Sequence, residues 1–192
     1  MQIDEDLWAD HQYQVIVSFI HHLAYYRVLK RCYDESGQKS EFWTRTIDAH
    51  LLRAITDWCM VFGTDSNQIH WKKVVADEEA QSRFRSRLLS VGFTKEQWDN
   101  YWSEMTTFRN NFTVHRIVAE KYPTVPKMDT ALLIATTYDD WFRSSVEASF
   151  SEPPLQARYD RLIRISGEPF SKLISIGPII EPEYEGNLPQ ES

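Results

Sequence analysis

The chain has 192 residues and a formal charge of −7, with seven Trp, nine Tyr and ten Phe, enough length and apolar mass for one domain with a sizeable core. No apolar run approaches the ~20 residues that a membrane span needs, and the acidic opening MQIDEDLWADHQ lacks a basic stretch followed by an apolar one, so the expected compartment is the cytosol, with no membrane partner. Cys32 and Cys59 are the only cysteines and no clustered Cys/His spacing accompanies them, which argues against a zinc site or a disulfide framework and for two buried thiols.

The few glycines fall between periodic segments, so the chain reads as helices joined by short loops. The first helix is expected over about 9–35, with Val15, Phe19, His22, Tyr26, Leu29 and Tyr33 on one face. The second covers about 41–62, with Trp43, Ile47, Leu51, Ala54, Trp58 and Val61 on its stripe and Gly63 as its stop. After a polar loop, Asp77 caps a helix that Gly92 closes. Thr94 and Gln97 have capping-box spacing and open a helix that runs through FRNNFTVHRIVAEKY until Pro123 and Pro126. Asp129 is expected to cap TALLIATTYDDWFRSSVEASF. A last helix over about 155–176 should pack through Leu162, Ile165, Phe170 and Leu173. No convincing strand alternation occurs. The expected fold is all-α: an antiparallel helical bundle of four long helices with one or two accessory helices over 1–176, followed by an acidic, proline-containing tail over 177–192.

The negative charge is uneven. Asp4, Glu5, Asp6 and Asp10 crowd the first ten residues, and Glu181, Glu183, Glu185 and Glu191 the tail; without those eight charges, −7 becomes +1 for residues 11–176. A basic face toward nucleic acid is therefore open, as is an ordinary solvated helix surface. A Gly-rich phosphate loop, Gly-x-Ser-x-Gly, His-Glu-x-x-His and Glu-x-x-His are all missing, and nothing points to a cofactor or a resident metal.

The stretch FRNNFTVHR (108–116) concentrates polar chemistry on one helix. At α-helical spacing, Phe108, Phe112 and His115 share a stripe, Arg109, Thr113 and Arg116 share the next, and Asn111 lies one turn before His115. His115 then borders an apolar and a cationic face, which suits a general acid or base with a pKa near ~6.5, and Arg109 can clamp a phosphate. The same spacing equally describes a core histidine beside an arginine that reaches water.

Arg109, Asn110 and His115 form an Arg-polar-x4-His run that resembles the motif of the HEPN superfamily. The order of HW at 70–71, FRNNFTVHR and then VPKMDTAL is similar to the abortive-infection-type branch, over roughly residues 10–150. The resemblance implies a helical bundle that dimerises through the motif helix and forms a composite site for metal-independent RNA cleavage. It implies that His115 is the general acid/base, that Arg109 binds the scissile phosphate, and that Asn110 positions it. RNA would be the substrate, in a toxin–antitoxin or phage-defence setting, with a cognate antitoxin or other protein partner. Many such domains are instead silent dimerisation, interaction or nucleotide-binding modules. Asn111 and Arg116 join the site on geometry alone.

Other polar groups carry weaker readings. His50 and Asp57 share a face of the second helix but lie two turns, ~10 Å, apart, so direct contact is not expected; they read as an inter-helix network or as support for the site. His70-Trp71 either stacks a base beside Lys72 and Lys73 or anchors its loop on the bundle. His21 and His22 point apart and form no metal pair. Trp98 and Trp102 read as core or dimer seam. The acidic tail could occupy a basic groove as a phosphate mimic.

Overall fold

A computed structural model describes residues 11–74, 77–114, 124–145 and 150–176. Helices α1 (Tyr13–Ser36), α2 (Glu41–Phe62), α3 (Trp71–Val74), α4 (Glu78–Ser90), α5 (Lys95–Phe108), α6 (Met128–Ser145) and α7 (Leu155–Ser175) follow in order, and a π-helical turn, Arg109–Val114, continues α5. No strand occurs among the described residues, so the all-helical expectation holds. No helix among them is long and apolar enough to cross a membrane.

Local chemistry sets the boundaries. Gly37 ends α1 and Gly92 follows α4, with φ of 65° and 83°, a region that L side chains avoid. Ser40 caps α2 by accepting the Trp43 N–H. At its other end Gly63 approaches the Cys59 carbonyl so closely that a Cβ would sit 2.3 Å from that oxygen. Asp77 accepts the Glu79 and Ala80 N–H groups at the start of α4, as expected. Thr94 and Gln97 make the reciprocal capping box of α5. Asp129, by contrast, is not a cap. Helix α6 begins at Met128, and Asp129 sits exposed in its first turn, paired with Arg27 at 2.5 Å.

Helix α1 is the central element, packed against α2 and α7 and touching α6. Its buried residues include Ile16, Phe19, Ile20, Leu23, Ala24, Val28 and Leu29, whereas Val15, His22, Tyr26 and Tyr33 of the expected stripe are half-buried. A helix with neighbours on several sides buries a broad sector, so a single-stripe reading misplaces its centre. Contacts advance together along α1 and α7, from His21 near Arg158 to Cys32 with Gly167 and Gln38 with Ile174, so these two helices run parallel. In α7, Leu162 is buried as expected, but Ile165 and Leu173 are about half exposed. Ser166 and Ile174 take the inward places instead.

Both thiols are buried, as expected. The aromatic centre of the core is Tyr138, ringed by Phe62, Phe84 and Trp141 at centroid distances of 5.5, 5.3 and 5.4 Å. Its hydroxyl donates to Gln12 Oε1 at 2.8 Å, and Gln12 Nε2 donates to the Ile69 carbonyl at 3.0 Å. This ties the loop after α2 to the start of α1. Buried Asp139 joins α6 to α7 by accepting the Leu155 N–H at 2.9 Å and the Arg143 Nε–H at 2.9 Å.

Candidate functional site

Helix α5 is held by three anchors before it reaches the motif. The Trp102 indole N–H donates to the Gly63 carbonyl at 2.8 Å. The Tyr101 hydroxyl donates to the Lys127 carbonyl at 2.9 Å. Met105 is fully buried, and its carbonyl lies 3.7 Å from the Cys59 thiol. The motif then departs from the expected α-helix. Arg109–Val114 is a π-helical turn, closed by i→i+5 bonds, so α-helical phases do not carry across it. The contact between the Phe108 and Phe112 rings survives, at 5.1 Å.

Arg109 is half-buried at the start of this turn. Its Nε–H donates to Asn110 Oδ1 at 3.0 Å, and among the described residues it forms no ion pair. Its charge is felt by the Cys59 thiol. Burial nevertheless pushes that thiol up to about 12, so Cys59 is an inert core residue. Asn110 is exposed and Asn111 half-buried. His115 and Arg116 lie outside the described residues.

A second polar cluster lies between α1 and α2. His22 Nδ1 and His50 Nδ1 are 2.8 Å apart, so one of these nitrogens donates to the other. Burial lowers the pKa of both rings. The Asp57 carboxylate works against that lowering at His22, and Arg53 adds to it. Asp57 is fully buried, and neither of its oxygens has a hydrogen-bond partner among the described residues; Arg53 Nε approaches Oδ1 to 2.9 Å without hydrogen-bond alignment. Asp57 thus acts on His22 through charge, while His50 reaches His22 by direct contact. The unmatched residue in the sequence reading is His22, a neighbour that only the packing of α1 on α2 supplies.

His70 and Trp71 anchor their loop. Trp71 is buried against Phe84 at 4.9 Å, so its ring is core and not a free stacking platform. His70 is 1 % exposed, and burial pulls its pKa down to about 4 although Asp65 lies 3.4 Å away. No group of three or more His, Cys, Asp or Glu among the described residues is arranged to hold a metal ion.

Searches of protein-family models, curated proteins and solved structures find no match to this chain.

Proposed function

We propose that the chain is a HEPN-type, metal-independent endoribonuclease of a toxin–antitoxin or phage-defence system. The observation that carries this reading is the state of Arg109. Its guanidinium is steadied by Asn110 through Nε at 3.0 Å, with no acid paired to it among the described residues. Among the described residues the terminal N–H groups therefore face no carboxylate that a phosphate would have to displace. In the proposed reaction the RNA 2′-oxygen attacks the adjacent phosphorus and the bond to the 5′-oxygen breaks. A cyclic phosphate and a 5′-hydroxyl result. His115, as general acid/base, takes the 2′-hydroxyl proton and returns a proton to the leaving 5′-oxygen, Arg109 neutralises the added charge on the phosphoryl oxygens, and Asn110 holds Arg109. Asn111 and Arg116 are supporting candidates. His50 and Asp57 belong to the α1–α2 cluster, with His22 and not each other as their common neighbour.

The proposal includes a four-helix bundle of the HEPN kind, a cytosolic location, a homodimer through the motif helix, RNA as substrate and an antitoxin or other protein as partner. A second reading, a catalytically inactive HEPN-like dimerisation, protein-interaction or nucleotide-binding module, is favoured in its interaction form by a different observation. On α7, Ile165 and Leu173 are 51 % and 50 % exposed and Ile176 beyond it is 82 % exposed, an apolar stripe of the kind that partners cover.

The test is RNA cleavage by the purified chain in EDTA. The nuclease reading expects cleavage that survives EDTA and falls at least about 100-fold in both Arg109→Ala and His115→Ala, with unchanged melting. Cleavage equal to wild type in either variant, or activity abolished by EDTA, would overturn it.

A further inference from the structure

Away from the motif turn, the polar cluster between α1 and α2 brings two ring nitrogens onto one point. His22 and His50 aim the same atom at each other, Nδ1 to Nδ1 at 2.8 Å, with ring centroids 5.0 Å apart. Only one of these nitrogens carries the proton of that contact. Moving the proton to Nε2 of its own ring, an ordinary tautomer change, leaves two lone pairs converging from different helices. Burial lowers the pKa of both rings, so near neutral pH no further proton competes for those lone pairs. Beyond their mutual contact, neither ring forms a hydrogen bond among the described residues, so both can turn.

The surroundings suit a cation. Asp57 is fully buried and its oxygens have no hydrogen-bond partner among the described residues. Of the two charges felt at His22, the Asp57 carboxylate outweighs the Arg53 guanidinium, so the net local field favours positive charge. Added positive charge there also relieves a buried carboxylate. The Tyr25 ring meets His50 edge-on at 5.6 Å, and Phe170 of α7 meets Tyr25 at 5.7 Å, which gives the pair an aromatic flank. Both histidines are half-buried, so water still reaches them. A tetrahedral zinc ion with Zn–N bonds of ~2.0–2.1 Å holds two nitrogens ~3.3 Å apart. The pair must therefore open by about half an ångström, which small ring rotations supply.

We propose that His22 and His50 bind a zinc ion through their Nδ1 atoms, with water completing the coordination, and that the ion clips α1 to α2. Paired imidazoles suit zinc and its borderline neighbours and offer little to hard ions such as magnesium. The two ligands are 28 residues apart in sequence and meet only in the folded chain. An ion that binds this arrangement stabilises it by mass action. The site is separate from the nuclease reading, whose chemistry uses neither ring and no metal.

The test is calorimetric titration of the full chain, stripped with EDTA and dialysed, with zinc chloride and with magnesium chloride. Zinc should bind saturably at one ion per chain, and magnesium at least about 100-fold more weakly. At a hundredfold excess of zinc over its Kd, melting should rise by about 5–10 °C. His22→Gln and His50→Gln should each weaken zinc at least about tenfold and lose that rise, whereas His21→Gln and Arg109→Ala should keep both. Retained binding in Arg109→Ala makes failure of this site and failure of the nuclease reading separate results. Zinc-edge X-ray absorption of the loaded wild-type chain should show nitrogen and oxygen neighbours at ~2.0–2.1 Å and no sulfur at ~2.3 Å, a readout that does not depend on how the variants fold. No saturable zinc binding into the millimolar range, wild-type affinity in either His22→Gln or His50→Gln, equal affinity for magnesium, or a sulfur neighbour would overturn the site.

Discussion

Arg53 and Asp57 show how one residue's value depends on its partner. Asp57 is fully buried, and its nearest counter-charge is the half-exposed Arg53, 2.9 Å away. A buried carboxylate without hydrogen bonds is expensive to keep charged, and removing its cation is worse than removing both. Arg53→Ala should therefore destabilise the chain by about 1–3 kcal/mol in urea unfolding, and adding Asp57→Asn should recover much of that loss. A double variant no better than Arg53→Ala would mean that Asp57 is not the source of the cost. The histidines set a pH dependence. His22, His50 and His70 all have pKa values lowered mainly by burial, so the unfolded chain binds protons more readily than the folded one. Their contribution is intact above the ordinary histidine pKa of ~6.5 and is lost as pH falls below it. For His70 the loss continues down to about 4, on the order of 3 kcal/mol. Melting temperature should fall between pH 6.5 and 4, and His70→Gln should flatten that slope; an unchanged slope would assign it to other groups.

Among the elements, α5 and the π-helical turn that continues it matter most because they carry Trp102 and Arg109. The capping box of α5 supplies partners for N–H groups that the first turn leaves without any. Thr94→Ala should cost about 1 kcal/mol, or roughly 2–4 °C in melting temperature for a chain of this size. A change within error would show that tertiary anchors such as the bond from Trp102 to Gly63 hold this end unaided. Caps were legible in the sequence at Asp77 and Thr94, where one side chain and the next three residues contain the whole interaction. Asp129 misled because the same residue type serves equally well in a first turn, and Arg27, distant in sequence, holds it there. Helix α7 continues through Pro169, which removes one N–H from its ladder beside the exposed Ile165.

For the whole molecule, the way copies associate separates the two functional readings. A dimer through the motif helix predicts a particle of twice the 22.7 kDa chain mass in sedimentation equilibrium, and Leu173→Glu should leave that mass unchanged. A shift to the monomer in Leu173→Glu would move the seam to the exposed stripe of α7 and favour the interaction-module reading. A monomeric wild type would remove the composite site altogether.

The sequence by itself determined the helical class, most helix boundaries, the burial of both cysteines and the inward stripe of α2 that includes Ile47, Leu51 and Trp58. Each rests on periodicity or on contacts within a turn or two, and such local terms are written in adjacent residues. Only the tertiary structure decided that His22 meets His50, because residues 28 apart in sequence come together through the packing register of two helices. It also decided that Trp98 and Trp102 border a cavity beside Arg85, since that space arises between a loop and two helices. The π-helical turn at Arg109 belongs to the same class: its wider hydrogen bonding is invisible to a 3.6-residue count.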